Sequence, residues 1–480
     1  MLGVALAAGM AYGGFEVDFT KESGRMRPAL HSSGFGPTVC SQTEQDLADV
    51  KSMGFAFART HDWALINSNQ RVCDYFHIFP LMHLDAKDPK NYVFGPTDYL
   101  LKRTREETGL DVFFRLGTSI EHSGKKIHFN SLIPEDFDKM AEIFAGTVRH
   151  YNRGWANGHK WNIKYWEIWN EPDGNNNMWC LPEGDEPGWD LKTPEDKAKF
   201  ERRRALFVKF FVTVLKRLKS EFGDEIKVGG PAMCSLREVW FRPILDACKA
   251  EGLTPDFISW HGYRNDPMAF YNEAETARRM LDGYGFTKCE MIVNEWHYFG
   301  YGDYSWTDLQ HCSDPKVKAR IWTGPRSHNG IHSACFTLAT LANLQRSKLS
   351  QAYYYGCRHS GSWGFKDEGQ AKYKVYYALK LFGDLVKKYP VICEIKADGA
   401  YTMMAVRTED GAKKALLLVD YGGKERELSL AVKGVAPDAK AKGALLDNTS
   451  DLAPFPVALR DGVLELKKTD GNSAACLIEF

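Results

Sequence analysis

The sequence predicts an α/β fold class: a (β/α)8 TIM barrel with a C-terminal antiparallel β-sandwich domain. Three observations carry this. Between residues 29 and 390, short apolar runs rich in β-branched and aromatic residues alternate with longer amphipathic ones, the pattern of repeated βα units around a parallel sheet. Eight strand candidates can be read there, at 29–34, 55–61, 111–117, 165–171, 227–232, 256–263, 290–296 and 351–357. Beyond Pro390 the chain changes to short alternating strands punctuated by Asp410-Gly411, Gly422-Gly423 and Asp461-Gly462, turn dipeptides of antiparallel sheets. At 480 residues there is room for a barrel of roughly 250 residues or more and a smaller second domain.

In chain order, 1–14 is a signal-like segment: residues 2–10 are apolar and rich in small residues, while the first twenty residues hold no Arg and only acidic charges. It reads as a truncated secretory signal. That implies a secreted or periplasmic chain, with a cytoplasmic one as the alternative. In 15–28, Phe15, Val17 and Phe19 alternate with polar residues as a half-buried strand joining the sandwich, followed by a polar turn at 21–25. The barrel is assigned to 29–390 and the sandwich to 391–480, with a last strand at 474–480. Ser41 and Glu44 form a capping box before a helix ending at Gly54, and Thr193-Pro194 opens another ending at Gly223. Gly229-Gly230-Pro231 argues for a short fifth strand. The longest irregular stretches, 173–190 and 298–314, follow the fourth and seventh strands, where loops shape a pocket.

Composition excludes several functions. Lys+Arg and Asp+Glu are both 62 and the pI is about 7.2, so no global field draws in nucleic acid or an anionic membrane, and a neutral substrate is the simpler expectation. No apolar run is long enough for a membrane-spanning helix. The 11 cysteines lack a C-x-x-C pair and are odd in number, which indicates neither a zinc ribbon nor a disulfide framework.

The chemistry lies at strand ends. Tyr165-Trp166-Glu167-Ile168-Trp169-Asn170-Glu171-Pro172 reads as a buried strand that must stop at Pro172, so Glu171 falls on the C-terminal rim, where a parallel barrel assembles its site. Met291-Ile292-Val293-Asn294-Glu295-Trp296 repeats the ending three strands later. Strands four and seven face each other across a closed eight-stranded barrel. Two converging glutamates suggest glycoside chemistry, retaining if the carboxyls stand about 5–5.5 Å apart and inverting if wider. Other polar residues on the rim are His31, Arg59, His61, Arg115, Asn170, His261, Tyr263, His297 and Arg358. A glutamate could instead cap a loop or bind a metal, but a mouth metal would recruit further Asp or His ligands. The pairs His77/His83 and His122/His128 are read as structural.

Arg59-Thr60-His61, Glu167 to Pro172, Val228-Gly229-Gly230-Pro231-Ala232, Asp256 to Tyr263 and Asn294-Glu295-Trp296 together resemble glycoside hydrolase family 39, in order and spacing. This family belongs to the clan of retaining barrels with catalytic glutamates after strands four and seven. The resemblance implies Glu171 as general acid/base and Glu295 as nucleophile. It implies Asn170 on the sugar 2-hydroxyl and His61, His261 and Tyr263 lining the innermost subsite. Trp363 resembles the aromatic platform under the bound sugar, with packing on the barrel as its other reading. His297 and Cys357-Arg358-His359-Ser360 depart from the family pattern. The implied activity is an exo-acting β-xylosidase on oligosaccharides or glycosides, with no cofactor and no metal. Arabinosidase, galactosidase or iduronidase activity, or a non-catalytic carbohydrate-binding barrel, are the alternatives. Arg264 or Arg358 would serve a uronate.

Overall fold

The structure, a computed structural model, describes residues 15–34, 36, 43–65, 71–119, 132–174, 178–182, 191–300, 324–356, 363–367, 369–397, 399, 401–423, 426–437, 439–468 and 471–480. The signal-like segment 1–14, Ser41, His122, His128, Arg358 and most of the two long irregular stretches lie outside these residues. The chain forms two compact units, 28–299 with 347–371, and 1–27 with 300–346 and 372–480.

The first unit is a closed barrel of eight parallel strands in sequential order: β2 (Ser32–Ser33), β3 (Phe57–Arg59), β4 (Asp111–Leu116), β5 (Tyr165–Ile168), β6 (Lys227–Met233), β7 (Phe257–Arg264), β8 (Glu290–Tyr298) and β9 (Gln351–Tyr354). Helices α1 (Glu44–Met53), α2 (Tyr75–Ile78), α3 (Gly95–Arg103), α4 (Phe137–Arg153), α5 (Pro194–Phe222), α6 (Glu238–Ala250) and α7 (Ala269–Tyr284) lie between strands. Thr193 caps α5 through a reciprocal box with Asp196 and Gly223 ends it. Such a cap contributes about 1 kcal/mol. The cap of α1 is Thr43 with Asp46 rather than Ser41 with Glu44, the same motif two residues on, and Gly54 (φ 68°) closes that helix.

The fifth barrel strand is not short. β6 runs to Met233, and its glycines serve close approach: a Cβ on Gly229 would stand 2.1 Å from the Phe257 carbonyl oxygen. β2 is only two residues, after a 3₁₀ turn at Pro28–Leu30.

The second unit is a ten-stranded, mainly antiparallel sheet ordered β15-β14-β18-β12-β11-β10-β1-β13-β17-β16. Its strands are β1 (Glu16–Arg25), β10 (Val391–Lys396), β11 (Thr402–Arg407), β12 (Lys414–Asp420), β13 (Arg426–Lys433), β14 (Lys442–Leu446), β15 (Asp451–Phe455), β16 (Leu459–Arg460), β17 (Val463–Lys468) and β18 (Ala474–Glu479). β1 pairs parallel with β13. One apolar cluster takes residues from both halves of the sheet, including Val17, Leu416, Leu430, Leu464 and Ile478, so the sheet curls over a single core. The polar segment 21–25 is strand and not turn: Asp18 and Glu22 pair with neighbouring residues of β10, and the intervening bulge absorbs the polar run. Helices α8 (Ile331–Leu344) and α9 (Lys374–Lys388) belong to this unit, α8 packing on β11, β12 and β18 and α9 on β14 and β15. The eight cysteines among the described residues are free thiols. No described helix is long and apolar enough to cross a membrane.

Candidate active site

Strand alternation builds the barrel interior in layers. The floor is apolar: Phe113, Phe257, Ile292 and Tyr353, with Phe57 and Tyr165 against them. Two residues further along three of these strands stand Arg59, Glu167 and Ser259, which face the same interior but are polar and fully buried. Arg59 Nε donates to Glu167 Oε2 at 2.8 Å. Ser259 Oγ and Asn294 Nδ2 donate to Glu167 Oε1 at 2.6 and 2.5 Å. Arg59 then reaches upward, Nη1 to Glu295 Oε2 at 3.3 Å and Nη2 to Asn170 Oδ1 at 2.7 Å. A buried carboxylate is tolerable only with such partners.

Above this hub the two glutamates arrive by different routes. β5 ends at Ile168, and Trp169 (φ 75°) and Glu171 (φ 43°) adopt left-handed backbone that costs about 1–3 kcal/mol per residue, held by the Glu171 amide donating to the Ala232 carbonyl at 2.9 Å. Glu295 instead lies inside β8, where the register with β7 slips: Trp260 pairs with Val293 but His261 with Glu295. The bulge at Asn294 lets consecutive side chains both engage the interior, Asn294 on Glu167 and Glu295 on Arg59.

His261, on β7, sits between the two carboxyls. Its Nδ1 is 2.8 Å from Glu171 Oε1 and its Nε2 is 3.3 Å from Glu295 Oε2, the latter close but not aligned as a hydrogen bond. Burial pushes His261 down to about 4, so the ring is neutral near pH 7. Burial also pushes Glu171 up to about 7, although a fifth of its side chain remains exposed. Glu295 is raised too, by burial first and by the negative charge of Glu171, while Arg59 and the Tyr263 hydroxyl, which donates to Oε1, act in the opposite direction. The donors that converge on Glu295, Arg59 and Tyr263, favour its charged form.

The structure brings His61, Asn170, His261 and Tyr263 to this mouth. His61 Nε2 lies 3.3 Å from Asp62 and 4.0 Å from Glu295, and burial drives its pKa well below the usual histidine range. Asn170 has its amide orientation set by Arg59, which occupies Oδ1. Trp363 packs its ring against Tyr263, His297 and Tyr355 with centroids 5.3–5.7 Å apart. Buried His297 bonds the Tyr354 hydroxyl through Nε2 at 2.5 Å and is pushed down to about 3.

Two rim candidates belong elsewhere. His31 precedes β2 and contacts the Met53 carbonyl at 2.7 Å, and Arg115 forms a buried pair with Asp74 at 2.6 Å. Sequence reasoning missed Glu167 and Asn294 as a network, though an acid in the middle of an apolar strand was a visible signal. It also missed Asp173 and Cys234. The Cys234 amide donates to Asp173 at 2.9 Å, the Cys234 thiol opposes the rise of Glu171, and burial raises Asp173 to about 6.

No family model matches the chain. It is 25% identical over 240 residues to a β-xylosidase of Caldicellulosiruptor saccharolyticus, covering 48% of this chain and 40% of that protein. It is 26% identical over 132 residues to a β-xylosidase of Geobacillus stearothermophilus, covering 27% and 21%. The match thus spans less than half the length of either relative. Among solved structures, a Croceicoccus marinus glucosidase aligns with TM-score 0.70 at 18% identity, over 97% of this chain and 98% of that one. An α-L-arabinofuranosidase of Thermotoga maritima aligns at 0.59 and 14%, over 98% and 100%. A family 30 xylanase of Clostridium acetobutylicum aligns at 0.54 and 12%, over 97% and 99%. The chain shares with these glycoside hydrolases the architecture of a (β/α)8 barrel joined to an antiparallel β-sheet domain.

Proposed function

We propose that the chain is a retaining glycoside hydrolase, most like an exo-acting β-xylosidase of family 39, with Glu295 as nucleophile and Glu171 as acid/base. The carrying observation is the asymmetry around His261: one ring touches both carboxyls, while the Arg59 guanidinium and the Tyr263 hydroxyl both donate hydrogen bonds to Glu295. In the first step Glu295 attacks the anomeric carbon as Glu171 passes its proton to the departing glycosidic oxygen, leaving a glycosyl ester. In the second, ionised Glu171 takes a proton from water, which displaces Glu295 and releases the sugar with its original configuration. Asn170, its oxygen held by Arg59, offers its NH₂ to the sugar 2-hydroxyl. His61 and Tyr263 line the innermost subsite and Trp363 closes it with an aromatic wall. The similarity to two β-xylosidases supports a neutral pentoside. So does Arg264, whose guanidinium is engaged by Glu273 at 2.8 Å instead of awaiting a uronate.

The test is hydrolysis of aryl β-xyloside, α-arabinoside, β-galactoside and α-iduronide by wild type, Glu171→Ala and Glu295→Ala, with and without azide. β-Xyloside cleavage, with azide giving a retained glycosyl azide from Glu171→Ala and an inverted one from Glu295→Ala, is the expected result. The opposite pattern reverses the roles. Preference for another glycoside overturns the substrate, and silence on the whole panel and on natural oligosaccharides leaves a binding protein.

A further inference from the structure

A second constellation lies in the barrel unit with no residue in common with the mouth. Asp98 on α3, His150 on α4 and His159 beyond the turn Trp155–Asn157 bring one ligand atom each within 4.8 Å of one another. Asp98 Oδ1 faces His150 Nε2 at 3.0 Å and His159 Nε2 at 3.6 Å. The other nitrogen of His150, Nδ1, lies 2.9 Å from the Trp155 carbonyl oxygen, which can only accept. Nδ1 therefore carries a hydrogen, and Nε2 faces a carboxylate oxygen. At 3.0 Å this nitrogen and oxygen are joined either by a hydrogen on Nε2 or by a cation held between them. A proton serves one histidine; a metal ion serves both and the carboxylate at once.

We propose that Asp98, His150 and His159 form a site for a divalent transition metal of the zinc class. Two imidazoles and a carboxylate are a borderline-soft donor set suited to such ions. Tetrahedral bonds of about 2.0–2.1 Å set ligand-to-ligand edges of about 3.3–3.4 Å, between the two separations seen. The Trp155 carbonyl supplies the outer hydrogen bond that orients a metal-binding histidine. The rings are already held: Phe94 stacks on His150 with centroids 3.5 Å apart, and Trp161 on His159 at 3.8 Å. The loop is folded back onto α4 by the His159 amide donating to the His150 carbonyl at 2.6 Å and the Gly154 amide to the His159 carbonyl at 2.8 Å. Only glycine permits this approach at residue 158, where a Cβ would meet the His150 carbonyl oxygen at 2.2 Å and Nδ1 at 2.5 Å. His150 is buried, whereas the side chains of Asp98 and His159 keep 27% and 28% of their surface exposed, which leaves a route for the ion and a fourth position for water. The bound ion would pin α3 and α4 to the segment that enters β5, a stabilising role separate from the chemistry at the mouth.

The test strips the full-length protein with a chelator and titrates it with zinc against a chromophoric competitor, following thermal unfolding in parallel. Wild type is expected to take up one equivalent and unfold at a higher temperature with zinc. His159→Ala and Asp98→Asn, both at partly exposed positions, should each weaken uptake at least tenfold and lose the thermal response. If one variant fails to fold, the other decides. Wild-type uptake of no zinc, or variants that bind and respond as wild type does, would overturn the site and leave the trio held by a proton.

Discussion

The ends of β5 and β8 carry the same dipeptide, Asn-Glu, and put it to different uses. After β5 the strand has already stopped, Asn170 accepts from Arg59, and Glu171 sits on left-handed backbone with a fifth of its side chain exposed. In β8 the strand continues through a bulge, Asn294 donates downward to Glu167, and Glu295 is 8% exposed against Arg59 and Tyr263. Identical local sequence thus yields one carboxyl on strained backbone that burial pushes up to about 7 and one that is surrounded by donors. The difference comes from what each carboxyl meets and not from the dipeptide.

The sharpest break of this comparison is removal of either carboxyl. With Glu295 as the proposed nucleophile, Glu295→Ala is expected to lose about 10⁴-fold or more in kcat/KM on every aryl glycoside, because no covalent intermediate can form. Glu171→Ala should lose about 10²–10⁴-fold on poor leaving groups and far less on activated phenols, which need no proton. Equal losses across a leaving-group series would erase the distinction. Next in size is the hub: Arg59→Met leaves Glu167 buried without its charge partner and should cost about 3–5 kcal/mol in urea unfolding, with Glu167→Met alongside it recovering part of the loss. No recovery in the double variant would mean that the pair is not what the single change breaks.

Smaller effects sharpen the contrast. Tyr263→Phe removes a donor from Glu295 alone; a hydrogen bond to a charged group contributes about 1.5–3 kcal/mol, so kcat/KM should fall about 10–100-fold. Without that donor Glu295 binds its proton more readily, and the acid limb of the pH profile should move to higher pH. An unmoved limb would detach Tyr263 from the charge on Glu295. The smallest change concerns the alkaline limb. The proposed acid role needs Glu171 protonated, and burial raises its pKa to about 7, so kcat/KM should be full below that value and fall as pH rises through it. In Glu171→Gln the residual activity on an activated phenol glycoside should show no such fall; persistence of the limb would assign it to another group.

Much of the barrel was legible because each βα repeat announces itself locally. All eight strand candidates overlap an observed strand, since apolar periodicity and turn residues act within a few positions of each other. The two rim glutamates were legible for the same reason, as carboxylates placed where an apolar run stops. His31 was misread because 29–34 was taken as one strand, when a 3₁₀ turn occupies its first half and leaves the histidine before the strand. The polar end of β1 was misread because a bulge can carry polar residues through a strand, and pairing with β10 is a long-range event. The histidines were judged by sequence neighbours, which hid Asp98, His150 and His159, separated by 52 residues between the first pair.

By itself the sequence determined the repeat of eight strands, the change of pattern after Pro390 and the rim position of Glu171 and Glu295. These follow from periodicity, Pro and Gly, whose effects are local. Only the tertiary structure decided that Arg59 couples Glu167, Asn170 and Glu295, that a bulge turns Asn294 and Glu295 both inward, and that His261 stands between the carboxyls. A carboxyl's proton affinity is set by burial and by charges a few ångströms away, and closing the barrel brings those charges in from four different strands.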